Sequence, residues 1–253
     1  MNILLLLIFI SALPVFLFYL WLRLSRFFLP LHWFLLFLLA GTLSLLAALV
    51  LQRLLPDTPP GAGGTGWLFY TIFCKAALAE ETGRFLVLLA FFRISSGFSA
   101  QSGGGGFAPR FRRSAEPGPD AAPGRFWGML AGLVAGLGFA AVENASYGAA
   151  DAAIALIRAF TAAPLHGACG ARAGAAAAGL RESPFPSLLS FLSAVANHGM
   201  YNFMILLGPA PRILAIFTAF TALASSILFI RAGLKNFDGS RFRRKTGENG
   251  QIR

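Results

Sequence analysis

Long apolar segments, separated by short polar ones, are the main pattern of this chain. A helix needs about 20 apolar residues to cross a bilayer. The segments of suitable length cover Met1–Leu22, Leu31–Leu51, Phe69–Phe92, Arg125–Tyr147, Ala152–Leu180, Phe185–Leu207 and Ile213–Leu234. The composition agrees, because 57% of the 253 residues are hydrophobic and 12% are charged. The pattern predicts an all-α fold, a polytopic transmembrane helix bundle of about seven spans.

Basic residues give the bundle a predicted orientation. The predicted inner segments hold 15 Lys and Arg residues, whereas the outer segments hold only Arg53 and Arg212. Cytoplasmic loops carry such an excess, so the amino end should lie outside and the carboxyl end inside. A net charge of +11 also raises the question of nucleic-acid binding. We expect no such partner, because the basic residues collect at span ends and form no face interleaved with aromatic residues.

Two polar stretches set the predicted domain boundaries. Residues 93–124 are rich in Gly, Ser and Pro and contain several Arg residues, which is typical of a flexible cytoplasmic loop. Residues 241–253 are basic and are expected to form a cytoplasmic tail. Residues 1–240 are therefore expected to form a single transmembrane bundle domain that includes the loop.

The third predicted span carries two carboxylates near its middle, Glu80 and Glu81, with Arg84 about one turn later. A charge at this depth costs about 2.5–3.5 kcal/mol, so the pair needs buried partners or a function. Arg84 follows Glu80 by four residues, the spacing of a helical ion pair. Because adjacent helical residues project about 100° apart, we expect Glu80 and Glu81 to meet different partners.

The next three spans carry further polar groups at compatible depth. Buried charges in lipid face the bundle interior and find partners there, so we expect these groups to converge on one polar centre. Taken singly, each has an ordinary explanation, such as an interhelical hydrogen bond or a salt bridge from Arg158 to Glu143. Glycines at every fourth position of the fourth and fifth spans would let these two helices approach closely. The polar groups are Glu143 in the motif Phe139-x-x-x-Glu143, Arg158, His166, and the pair in His198-x-x-x-Asn202. The glycines are Gly128, Gly132, Gly136, Gly170 and Gly174.

The order of these motifs resembles that of the PrsW family of intramembrane proteases. The matching stretches are EETGR (80–84), FAAVEN (139–144), RAFTAAPLHGACG (158–170) and NHGMYN (197–202). The chain is more distantly similar to the CAAX-prenyl-protease and bacteriocin-processing group. One departure is Arg84, where the family commonly has Lys, and it keeps the charge. The resemblance implies an endopeptidase of a prokaryotic inner membrane that cleaves a membrane-protein substrate, such as an anti-sigma factor.

The residues permit peptide hydrolysis by two routes, which the sequence leaves open. In both, Glu80 or Glu81 is the candidate general base that activates a water, and the other carboxylate could pair with Arg84 or bind a metal. In the first route, a divalent ion, with zinc expected, is held by His nitrogen and carboxylate oxygen. Its candidate ligands are Glu143, His166 and His198.

In the second route, His and Asn side chains stabilise the oxyanion without a metal. For either route, the candidate catalytic residues are Glu80, Glu81, His166, His198 and Asn202, and the supporting residues are Arg84, Phe139 and Arg158. Neither route predicts the identity of the substrate.

Two other functions are compatible with the same residues. Intramembrane Glu, His and Arg residues also build proton relays, as in a proton-coupled transporter. The sequence lacks the internal repeat and the paired interrupted helices typical of transporters. A non-catalytic membrane scaffold could retain the polar centre for packing alone. The protease is the function that we expect.

Overall fold

The computed structural model describes residues 3–25, 29–57, 63–101, 123–149 and 151–248. Within these ranges the regular elements are helices, and no strand occurs. The helices are α1 (Ile3–Leu24), α2 (Leu31–Leu54), α3 (Thr65–Phe69), α4 (Ala79–Gln101), α5 (Pro123–Gly148), α6 (Ala152–Gly179), α7 (Pro184–Leu206) and α8 (Pro209–Glu248). A π-helical segment, Tyr70–Leu78, joins α3 to α4 without a break. The predicted all-α fold is confirmed.

Five helices of the described ranges are long and apolar enough to cross a membrane, judged by length and composition. They are Leu5–Leu24, Leu31–Leu54, Gly124–Gly148, Ala152–Gly179 and Pro209–Ala232. Large apolar side chains project outwards from them, such as Phe9 on α1 and Leu43 on α2, which suits contact with lipid. Charged or polar residues interrupt α4 and α7. The count of seven spans and the orientation stay predictions.

Two segments are more helical than the sequence analysis predicts. Helix α4 continues to Gln101, so residues 93–101 of the predicted loop are helical. Helix α8 continues to Glu248 and includes the first part of the predicted tail. Neither extension contains proline, and adding a residue to an existing helix costs far less than starting a new one. The rest of that loop and tail, residues 102–122 and 249–253, lies outside the described residues.

Helices α5 and α6 form the closely packed centre of the bundle. A Cβ atom added to Gly132 would lie 2.0 Å from the carbonyl oxygen of Gly170, and one added to Gly136 would lie 2.0 Å from that of His166. No residue larger than glycine fits at such distances. The close approach predicted from the glycine spacing is confirmed, and it brings the polar side chains of the two helices together.

Helix α2 fixes the position of α4. A Cβ atom added to Gly83 on α4 would lie 2.8 Å from the backbone nitrogen of Ala48 and 3.0 Å from the carbonyl oxygen of Ser44. Earlier on α2, a Cβ atom added to Gly41 would lie 2.1 Å from the carbonyl oxygen of Ala135 in α5. Helix α2 therefore contacts α4 and α5 backbone to backbone and holds the carboxylate pair near α5.

The π-helical segment packs against α7. The ring of Phe73 lies where a side chain at Gly199 would be, since a Cβ atom there would come within 2.3 Å of Cδ1 of Phe73. A π-helix has more residues per turn than an α-helix and is often found at functional sites. Glu80 and Glu81 follow this segment directly, in the first turn of α4.

Candidate active site

Polar side chains from four helices meet inside the bundle. Glu81 and Arg84 on α4 are fully buried, and Glu80 is 8% exposed. His166 on α6 and His198 on α7 are each 2% exposed. Glu143 on α5 contacts this group through His166. The predicted convergence on one polar centre is confirmed.

Glu81 is held in a buried ion pair. Both of its carboxylate oxygens lie 2.5 Å from Nη1 of Arg84, and Oε1 also lies 2.8 Å from Nδ1 of His198. Of the two carboxylates that could pair with Arg84, the guanidinium contacts Glu81, three residues before it, and not Glu80 at the i, i+4 spacing. Glu81 thus neutralises Arg84 and fixes the ring of His198.

His198 contacts both carboxylates of the pair. Its Nδ1 atom faces Glu81, and its Nε2 atom lies 3.6 Å from Oε2 of Glu80. Each carboxylate also has a partner of its own, Gln52 for Glu80 and Arg84 for Glu81. His198 is nevertheless shared, because its two ring nitrogens point in different directions. The carboxylate beside Nδ1 favours the tautomer that is protonated there. Nε2, the other ring nitrogen, faces Oε2 of Glu80.

Glu80 keeps one carboxylate oxygen open. Its Oε1 atom accepts a hydrogen bond of 3.4 Å from Nε2 of Gln52 on α2. Its Oε2 atom is buried and has no hydrogen-bond partner among the described residues. An unsatisfied buried acceptor is costly, and a charged one more so, which makes this oxygen a candidate ligand for a cation.

Glu143 and Arg158 lie on the other side of His166. Oε2 of Glu143 is 2.5 Å from Nη2 of Arg158 and 2.9 Å from Nε2 of His166. Nε of Arg158 donates to Oδ1 of Asn144 at 3.0 Å, and the guanidinium lies 4.1 Å from the ring centroid of Tyr147. The salt bridge expected between Arg158 and Glu143 is confirmed. The Glu143 side chain remains 17% exposed.

Phe139 joins the two halves of the centre. The guanidinium carbon of Arg84 lies 4.5 Å from the Phe139 ring centroid, a cation–π contact. The ring centroids of His166 and Phe139 are 5.0 Å apart. Nδ1 of His166 lies 3.4 Å from Nη2 of Arg84. Phe139 and Arg84 therefore both contact His166, which is consistent with the supporting positions expected for them.

Asn202 is the one predicted site residue without a hydrogen bond, ion pair or ring contact to the others in the part of the chain that the structure describes. It is half-buried on α7, one turn after His198, and makes no hydrogen bond to the centre. Its role stays a prediction. Three contacting residues are absent from the predicted site residues: Gln52, Asn144 and Tyr147. Gln52 lies next to Arg53 at a span end and resembles an interfacial residue, and Asn144 lies in a quoted motif without being singled out.

A family model described as "PrsW family intramembrane metalloprotease" matches residues 29–230. The chain belongs to this family. The match covers every residue of the centre described above, and it makes the chain an intramembrane metalloprotease, a membrane-integral enzyme that acts on membrane substrates with a divalent metal. No characterised protein and no solved structure matches the chain significantly.

The donors present suit the divalent metal that the PrsW family implies. Among the described residues, Glu80, His166 and His198 each offer a ligand atom, and these atoms lie within 4.8 Å of one another. Two imidazoles and one carboxylate make up a known ligand set of catalytic zinc sites. The open Oε2 atom of Glu80 supports the same assignment independently. The group contains Glu80, where the sequence analysis places Glu143.

Proposed function

We propose that this PrsW-family enzyme cleaves a single-span membrane protein of the anti-sigma-factor kind in a prokaryotic inner membrane, with zinc as its metal. The observation that carries the proposal is the carboxylate oxygen Oε2 of Glu80, which is buried without a hydrogen-bond partner among the described residues and lies 3.6 Å from Nε2 of His198. A buried acceptor and an imidazole nitrogen that face each other are suited to a shared cation. The basic character of the predicted inner loops supports the membrane assignment.

Glu80, His166 and His198 are the proposed metal ligands. The ion, when bound there, supplies Lewis acidity towards a peptide carbonyl or a water. Glu81 keeps the proton of His198 on Nδ1, so that Nε2 stays available. Unlike His198, His166 has both ring nitrogens in contact with other site residues: Nε2 contacts Glu143, and Nδ1 faces Arg84. Ligation through Nε2 would release Glu143 from this contact.

The proposal exchanges the roles that the sequence analysis gives to Glu80 and Glu143. Glu81 is enclosed by Arg84 and His198 and is not free to take up a proton. Glu143 is partly exposed, and both of its contacts are to the same oxygen, Oε2. We therefore assign Glu143 as the general base, which accepts a proton from the attacking water once His166 is bound elsewhere.

Variants of the two carboxylates test these roles in proteoliposomes that contain a single-span substrate. Glu80→Gln should lose both bound zinc and cleavage, because an amide is a poor ligand for the ion. Glu143→Gln should retain zinc and lose cleavage, because an amide cannot accept the proton. The reverse pattern would restore the sequence-derived roles. Normal cleavage by both variants would reject this centre as the active site.

A further inference from the structure

We propose that Gln52 is a positioning residue for Glu80, an inference that rests on the proposed role of Glu80 as a metal ligand. Gln52 lies on α2, outside the four helices that supply the ionisable residues of the centre. Its side-chain amide donates to Oε1 of Glu80 at 3.4 Å, and Oε2 of the same carboxylate is left open towards His198. One oxygen is thus held by α2 while the other faces the metal donors.

The packing of α2 on α4 explains how Gln52 reaches this carboxylate. Ser44, Ala48 and Gln52 recur every four residues and therefore lie on one face of α2. The first two contact the backbone at Gly83, with distances of 2.8–3.0 Å from a Cβ atom added there. Glu80 is about one turn before Gly83 on α4, and Gln52 is one turn after Ala48 on α2. The antiparallel helices thus place the amide beside the carboxylate.

The chemistry of an amide suits this position. A neutral donor orients the carboxylate without neutralising it, whereas a Lys or Arg would compete with the metal for the same negative charge. Carboxylates that bind a metal are themselves usually hydrogen-bonded, and replacing such a partner typically weakens metal affinity or activity about 10–100-fold. Gln52 is the residue that fills this place for Glu80.

The competing explanation is that Gln52 is only an interfacial polar residue. It lies two residues before the end of α2 and next to Arg53, where a polar side chain can reach water or lipid headgroups. An interfacial residue would be replaceable by any amide and would not affect metal binding. The two explanations therefore differ in their predictions for Gln52→Asn.

Zinc affinity, measured by competition with a chelator on the full-length protein in detergent, tests the proposal. Gln52→Met keeps the shape and removes the donor, and Gln52→Asn keeps the amide but withdraws it by one methylene. Both should bind zinc about 10–100-fold more weakly, with the KM for a membrane substrate unchanged. Thr42→Val is the matched control, because the Thr42 hydroxyl on α2 donates only to the backbone of Leu38. It should bind zinc as the wild type does.

The results that overturn the proposal are separate from those that overturn the proposed function. Wild-type zinc affinity in Gln52→Met, or rescue by Gln52→Asn, would reject the positioning role. A loss of affinity that only follows a loss of thermal stability would reject it as well. Wild-type zinc affinity in Glu80→Gln would instead reject Glu80 as a ligand, whatever the Gln52 variants do.

Discussion

Glu80 and Glu81 are adjacent in sequence, yet their surroundings give them different tasks. Glu81 is enclosed by the guanidinium of Arg84 and the ring of His198, so both of its oxygens are used. Glu80 has one oxygen on Gln52 and one without a hydrogen bond among the described residues. Glu81 therefore contributes mainly to the stability of the centre, and Glu80 to its chemistry.

Replacing each carboxylate by its amide should separate stability from catalysis. Glu81→Gln leaves the buried cation of Arg84 without a counter-charge, and breaking a buried pair in this way costs about 3–5 kcal/mol. In the metal-free protein, Glu80→Gln should change the free energy of unfolding by less than about 1 kcal/mol, because no fully formed ion pair is lost. Thermal unfolding in detergent measures both. Equal stability of the two variants would contradict the division of roles.

Arg158 is expected to act through Glu143. Arg158→Met should lower turnover, because it removes one of the two contacts that hold the Glu143 carboxylate. A double-mutant cycle with Glu143→Gln should give a coupling of about 0.5–3 kcal/mol in unfolding free energy. The control is Arg181→Met, which replaces an exposed arginine. Its coupling free energy with Glu143→Gln should be close to zero. Additive effects of Arg158→Met and Glu143→Gln would show that the two residues do not interact.

At the scale of helices, the glycine-lined contact between α5 and α6 determines the distance from Glu143 to His166. The two backbones touch at Gly132 and Gly170, with no side chain between them. Any atom inserted there must move one helix relative to the other. Because Glu143 is on α5 and His166 is on α6, the 2.9 Å contact between them depends on this packing.

Gly132→Ala tests this dependence. The new Cβ atom would lie 2.0 Å from the carbonyl oxygen of Gly170, so the helices must separate. Overpacking of this kind costs about 1–3 kcal/mol, and cleavage should fall with it. Gly66→Ala on α3 is the control, because nothing lies within 4 Å of its added Cβ atom. Unchanged cleavage in Gly132→Ala would show that the site tolerates movement of α5.

Most of the long helices could be predicted from the sequence because they are long apolar runs, and the convergence of the site could be predicted because buried charges need partners. The partner of Arg84 could not be predicted, because an arginine on a helix can reach a carboxylate either three or four residues before it. The contact of Gln52 with Glu80 depends on how α2 packs on α4, which no local pattern encodes. The helical extensions beyond Phe92 and Lys235 have little apolar periodicity to mark them.

For the whole molecule, the orientation in the membrane is the main open prediction. The bias of 15 to 2 basic residues places the loop at Gly103–Gly106 and the segment after Lys235 in the cytoplasm. Reporter fusions there should behave as cytoplasmic, and a fusion near Gly63 should behave as external. A fusion at Gly104 that is active only outside the cytoplasm would reverse the orientation and the side from which substrate reaches the centre.

The most direct test of the metal centre is a zinc titration of metal-stripped enzyme that has been reconstituted with a single-span substrate. We predict that cleavage stops in excess chelator and returns in proportion to bound zinc, reaching its maximum at about one ion per chain. His198→Ala should neither bind the ion nor regain cleavage. Metal-free protein that still cleaves substrate in excess chelator would contradict a metal centre at Glu80, His166 and His198.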